Sequence, residues 1–74
     1  MEKEESTYQI SIKGRLDQSY SSRFAGMRIH SFEADGKDFT TMTGTIVDQA
    51  QLLGVLNSLN NYQYSVISVN KISN

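Results

Sequence analysis

At 74 residues the chain is one domain's worth of sequence, and at that size folding buries only roughly 60% of the surface an unfolded chain exposes. With no cysteine and one histidine, His30, disulfides and thiolate metal sites are excluded and a structural zinc site lacks ligands, which leaves oligomerisation to add buried area. Seven basic against eight acidic residues, net −1, lacks the basic excess of a dedicated nucleic-acid binder, and no apolar run is long enough to span a membrane.

Residues 1–6 read as a frayed tail and 7–74 as a single α+β domain. The acidic start Met1-Glu2-Lys3-Glu4-Glu5 is the opposite of a signal peptide, so the expected location is cytoplasmic. Tyr8, Ile10, Ile12, Gly14 and Leu16 alternate with Thr7, Gln9, Ser11, Lys13 and Arg15. That period of two predicts a strand buried on one side, hence a sheet with helices on a single face. Over 17–25, Asp17 can cap a short helix with Leu16, Tyr20 and Phe24 on one stripe and Gly26 as its stop; a structured loop is the other reading.

From Met27 to Val47 the sequence predicts a hairpin. Asp35-Gly36 is the preferred pair for a two-residue type I′ turn. Its register sets Ala34 opposite Lys37, Phe32 opposite Phe39, His30 opposite Thr41 and Ile29 opposite Met42. Met27, Ile29, Met42, Gly44 and Ile46 then face the core, while Arg28, His30, Phe32, Phe39, Thr41 and Thr43 face outward. A slip of one residue would exchange the faces.

Asp48 is a strong N-cap with Gln51 in the capping-box position. The helix it starts runs from Gln49 to about Asn60, with Leu52, Val55, Leu56 and Leu59 inward and Leu53 flanking. Gly54 inside it marks either a close strand crossing or a tolerated site. Asn60-Asn61 can supply the left-handed C-terminal residue. A last strand spans about Gln63 to Ile72, with Val66 and Ile67 of opposite parity, so both faces would be partly covered. The order is β-α-β-β-α-β, a ferredoxin-like split βαβ with a short first helix and a mainly antiparallel four-stranded sheet. The alternative is β-β-β-α-β.

Leu16-Asp17, Phe24-x-Gly26-Met27-x-Ile29, Asp35-Gly36, Thr40-Thr41-Met42-Thr43-Gly44 and Asp48-Gln49-Ala50-x-Leu52-x-Gly54-x-Leu56 follow one another here. Together they resemble a family of small, mostly uncharacterised bacterial proteins. Its core reads L-D-…-F-x-G-[ML]-x-I-…-D-G-x-T-x-L-x-G-…-D-Q-A-A-L-H-G-L-L, and the likeness covers roughly residues 8–70. The resemblance implies a stand-alone bacterial protein and no particular activity. This chain has Leu53 where that pattern carries a helix His, and Tyr20 where Trp is common.

No catalytic set emerges. His30 titrates near neutrality when unperturbed, but catalysis needs a partner in reach, and Glu33 falls on the opposite face of its strand. Asp17, Asp35, Asp38 and Asp48 each stand at a cap or turn, where Asp has a structural reason to be. Asp35-x-x-Asp38 lacks the ligands of a calcium loop, and Gly36, Gly44 and Gly54 lack phosphate-cradling spacing. No cofactor or metal is expected.

The outward pair Phe32 and Phe39, flanked by Arg28, His30 and Thr41, is the candidate interface, because exposed apolar patches mark contact surfaces. If the register slipped, both rings would be core. The expectation is a non-enzymatic interaction or regulatory module, homodimeric or bound to another protein, without membrane association. A ligand-binding or catalytic dimer with an inter-subunit pocket is the first alternative. A nucleic-acid-binding domain is the second, weakened by the missing aromatic-and-basic signature of RNA-recognition strands.

Overall fold

A computed structural model describes residues 5–73. In order it contains β1 (Ser6–Lys13), a 3₁₀ helix (Gln18–Phe24), β2 (Arg28–Ala34), β3 (Lys37–Ile46), α1 (Gln49–Asn61) and β4 (Ser65–Ser73). The four strands form one antiparallel sheet in the order β2-β3-β1-β4. The protein is therefore α+β, with its helical segments packed on one face. The expected tail at residues 1–4 lies outside the described residues. Ser6, expected in that tail, is instead the first residue of β1; it is buried and pairs with Ile46.

The hairpin has the register the turn dictates. Ala34 faces Lys37, Phe32 faces Phe39, His30 faces Thr41 and Ile29 faces Met42. Asp35 and Gly36 take φ of 53° and 75°, the pair of positive angles a type I′ turn requires; Gly supplies one freely and Asp tolerates the other. Ile29, Met42 and Ile46 join Ile10, Ile12, Leu16, Phe24, Met27, Val55 and Leu59 in the core. Gly44 lets Met27 in: a Cβ there would lie 3.1 Å from the Met27 Cα.

The segment expected as a short helix is a 3₁₀ helix with the expected cap. Asp17 accepts a 2.9 Å bond from the Ser19 N–H. Bonds from Ser19 hold the Asp17 carboxyl below its ordinary range. The cap is therefore fully made above that range and is lost as pH falls through the lowered value. Leu16 and Phe24 are buried and Tyr20 is more exposed, but its ring lines the same hollow as theirs, so the three still share one side. Ala25, with φ of 58°, ends the segment in the left-handed region, one residue before Gly26.

The helix starts where the sequence places it. Asp48 accepts from the Gln51 N–H at 2.8 Å, and the Gln51 side chain reaches back to the Val47 N–H at 2.8 Å. Its end differs. Asn60 and Asn61 stay helical, and the left-handed residue is Gln63, at φ 67°. Bonds from the Tyr64 N–H to the Leu59 carbonyl and from the Gln63 N–H to the Asn60 carbonyl complete a Schellman closure. The pull of Tyr64 toward the core carries the helix past the asparagines. Gly54 meets nothing within 4 Å, so it is a tolerated site rather than a close crossing.

β4 departs most from expectation. It starts at Ser65, and its pairing with β1 shifts register twice, between Thr7 and Tyr8 and between Ser11 and Ile12. Val66, Ile67, Val69 and Ile72 all remain exposed. Cover is only partial, because α1 turns Val55 and Leu59 into the central core and leaves Leu53 in solvent.

Candidate functional site

The face of the sheet turned away from α1 is built by strand alternation alone. Across it run Arg28, His30, Phe32 and Ala34 of β2, and Lys37, Phe39, Thr41, Thr43 and Thr45 of β3. Thr7, Gln9, Ser11 and Lys13 of β1 and Ser65, Ser68, Asn70 and Ser73 of β4 complete it. Every residue proposed for an interface from sequence therefore lies on this one face: Arg28, His30, Phe32, Phe39 and Thr41.

Three of them form a continuous row of rings. The His30 and Phe32 centroids are 6.0 Å apart with planes 20° apart, and Phe32 and Phe39 are 5.8 Å apart at 29°. Phe32 is exposed and Phe39 half-buried. Lys13 lies opposite Phe39 on the neighbouring strand, and Thr41 opposite both His30 and Ser11. The rest of the face is hydroxyl and amide. Its charged strand residues are Lys13, Arg28 and Lys37, with no Asp or Glu among them. Asp38 and Glu33 pair on the opposite side of the hairpin, where Asp38 meets Arg15 at 3.3 Å in an exposed contact of little energetic weight.

His30 contacts Phe32, an aromatic neighbour that can neither orient it nor take its proton. Among the described residues no three His, Cys, Asp or Glu side chains converge on a point where an ion could sit.

Two features escaped sequence reasoning. The first is a hollow of about 120 Å³ between the 3₁₀ helix and the end of α1, lined by Leu16, Tyr20, Phe24, Tyr62 and Tyr64. Its rim is set by Arg23, whose guanidinium lies 5.5 Å over the Tyr20 ring and donates to the Tyr62 hydroxyl at 2.7 Å. That volume falls below the roughly 300 Å³ at which small-molecule sites begin. Only the run of aromatic residues after Asn61 hinted at it.

The second is polar. Thr40 is wholly buried and donates to the Gly14 carbonyl at 2.7 Å while accepting from the Leu16 N–H at 3.1 Å. The Ser31 hydroxyl lies 2.9 Å from it and also donates to the Leu16 carbonyl at 3.0 Å. Two hydroxyls thus stitch the β1 exit to both hairpin strands. The only hint was that Thr40 has the parity of the core residue Met42.

Neither the comparison with curated proteins nor that with solved structures gives a match. The family described as Domain of unknown function (DUF8691) matches residues 7–70, most of the chain, and this protein belongs to it.

Proposed function

We propose that this chain is a non-enzymatic association module that self-associates and meets its partner through the open sheet face. One observation carries the reading: the His30–Phe32–Phe39 row stands on a face that no helix covers. Rings held side by side on a rigid sheet offer contact area at little entropic cost, as aromatic anchors do in protein interfaces. The strand order, with β1 between β3 and β4 and crossovers on one face, supports a ferredoxin-like split βαβ. In this reading the 3₁₀ helix stands in for the first helix. A cytoplasmic location is part of the same proposal and rests on the acidic, polar stretch Met1-Glu2-Lys3-Glu4-Glu5.

A second reading has its own support. A face with Lys13, Arg28 and Lys37 and no acidic strand residue suits a polyanion whose bases stack on the rings. The net charge of −1 argues for the protein partner first.

The double variant Phe32→Ser with Phe39→Ser tests the face. It should lose no more than about 1 kcal/mol of stability, since neither ring belongs to the buried core. A loss of several kcal/mol, read from denaturant melts, would make the rings structural and withdraw the proposal. Short mixed-sequence single strands, titrated at low and high salt, separate the two readings. Salt-sensitive NMR shifts at His30, Phe32 and Phe39 favour the nucleic acid; unmoved resonances favour the protein partner.

A further inference from the structure

The two outer strands of the sheet end in different ways. The two-residue turn makes Ala34 and Lys37 a hydrogen-bonded pair, and alternation through the hairpin, the β1–β3 ladder and the unshifted Tyr8–Ser11 stretch of the β1–β4 ladder then turns the N–H and C=O of Ile29 and of Val69 away from the sheet. At the β2 edge the outward group is occupied: the Ile29 N–H donates to the Gln18 side-chain oxygen at 3.0 Å. The 3₁₀ helix that carries Gln18 lies along that edge, and Ser21 donates to the Met27 carbonyl at 2.7 Å. No segment of the described chain lies along the outer side of β4.

β4 also lacks most of the devices that blunt an open edge. It has nine residues, no proline, and a single charge, Lys71. Charged side chains, proline or brevity normally keep such an edge from pairing with another chain. Its two register irregularities are the only such device present. Four apolar side chains, Val66, Ile67, Val69 and Ile72, stand exposed on it, between 37% and 52%.

We infer that β4 is the seam of the self-association proposed above, pairing antiparallel with β4 of a second copy about a two-fold axis through Val69. The inference rests on that reading and adds the surface to it. The strand is its own complement in this register. Val69, with both backbone groups outward, meets the partner's Val69 as a hydrogen-bonded pair. Val66 then lies across from the partner's Ile72, and Ile67 from the partner's Lys71, so the two lysine charges are kept apart. Self-pairing thus gives each of the four exposed apolar residues an apolar or aliphatic cross-strand neighbour and opposes no like charges. A segment bearing several acids or bases would instead have called for a partner of opposite charge.

The two-fold stands perpendicular to the sheet, so the product is one eight-stranded sheet. Both α1 helices lie on one side and both aromatic rows on the other. Across the strands the two Phe39 rings are then about 24 Å apart, five inter-strand spacings of about 4.8 Å, and the β2 rings about 34 Å, seven spacings. A dimer built this way leaves His30, Phe32 and Phe39 free for the partner of the open face.

Sedimentation of the full chain from micromolar to several hundred micromolar should show a reversible dimer. Val69→Arg sets two arginines directly opposite each other and should weaken the dimer by at least roughly tenfold. Val69→Pro removes the outward donor and leaves the β1 ladder intact, and should abolish the dimer. Phe32→Ser with Phe39→Ser should leave the dimer unchanged, which separates this seam from the open-face reading. A variant-free measurement guards against misfolding of either β4 variant: NMR on a mixture of isotope-labelled and unlabelled copies should give contacts between Val69 and the partner's Val69. A wild-type monomer throughout, a dimer untouched by folded Val69 variants, or inter-copy contacts placed elsewhere would each overturn the inference.

Discussion

The hairpin side of this sheet is tied down by side-chain hydrogen bonds, whereas the β4 side is held by its ladder to β1 and by packing against α1. On the hairpin side Thr40 and Ser31 bind the loop after β1, Gln18 closes the Ile29 N–H, and Met27 fills the space that Gly44 leaves. On the β4 side the apolar residues of the strand keep between 37% and 52% of their surface exposed. A chain of this length buries few large side chains, and it has spent them on one half of its sheet. The contrast teaches where the proposed second copy has room to pair: at the strand edge that the chain's own segments leave open.

The largest effect should come from cutting the stitching. Thr40→Val keeps the shape but leaves the Leu16 N–H without its acceptor and the Gly14 carbonyl without its donor. The loss should be about 2 to 3 kcal/mol in denaturant melts, the usual result of stranding buried polar groups. A shift within error would mean that water replaces the hydroxyl, and the hairpin side would be less closed than drawn here.

Next comes the close approach at Gly44. Gly44→Ala places a methyl 3.1 Å from the Met27 Cα, which the backbone must yield to accommodate. A cost of about 1 to 2 kcal/mol is expected, within the range for an overpacked core. Gln18→Ala should cost less, about 1 kcal/mol, and should free the Ile29 N–H to exchange with solvent. If that amide stays protected in the variant, some other group closes the β2 edge.

The smallest effect belongs to the open side. Ile72→Ser at low protein concentration should change stability by no more than about 0.5 kcal/mol, because the residue is 52% exposed. A loss of a kcal/mol or more in dilute solution would show that β4 is packed within one chain and would remove the contrast.

How much of this was legible in the sequence follows the same division. The hairpin register was, because Asp35-Gly36 leaves one turn geometry and period-two alternation carries it outward to Arg28 and Thr43. The helix start was also legible, since Asp48 and Gln51 form a local signature. The helix end was not: two asparagines are a good left-handed pair, but Tyr64 found a place against the core and moved that role to Gln63. Nor was the exposure of β4. Alternation says which face a side chain takes, and only the placement of α1 decides whether that face is covered. The aromatic row was half legible. Phe32 opposite Phe39 followed from the turn, whereas the stacking of His30 beside Phe32 needed the ring positions.

The account rests on one closed edge and one open edge, and amide hydrogen exchange reads both together. In dilute and in concentrated samples alike the Ile29 amide should exchange slowly, held by Gln18. The Val69 amide should exchange fast when dilute and slowly when concentrated, as a second copy closes the edge. Slow Val69 exchange at every concentration would mean that the edge is covered within one chain. Fast exchange at every concentration would mean that no second copy pairs there, and either result would contradict the account.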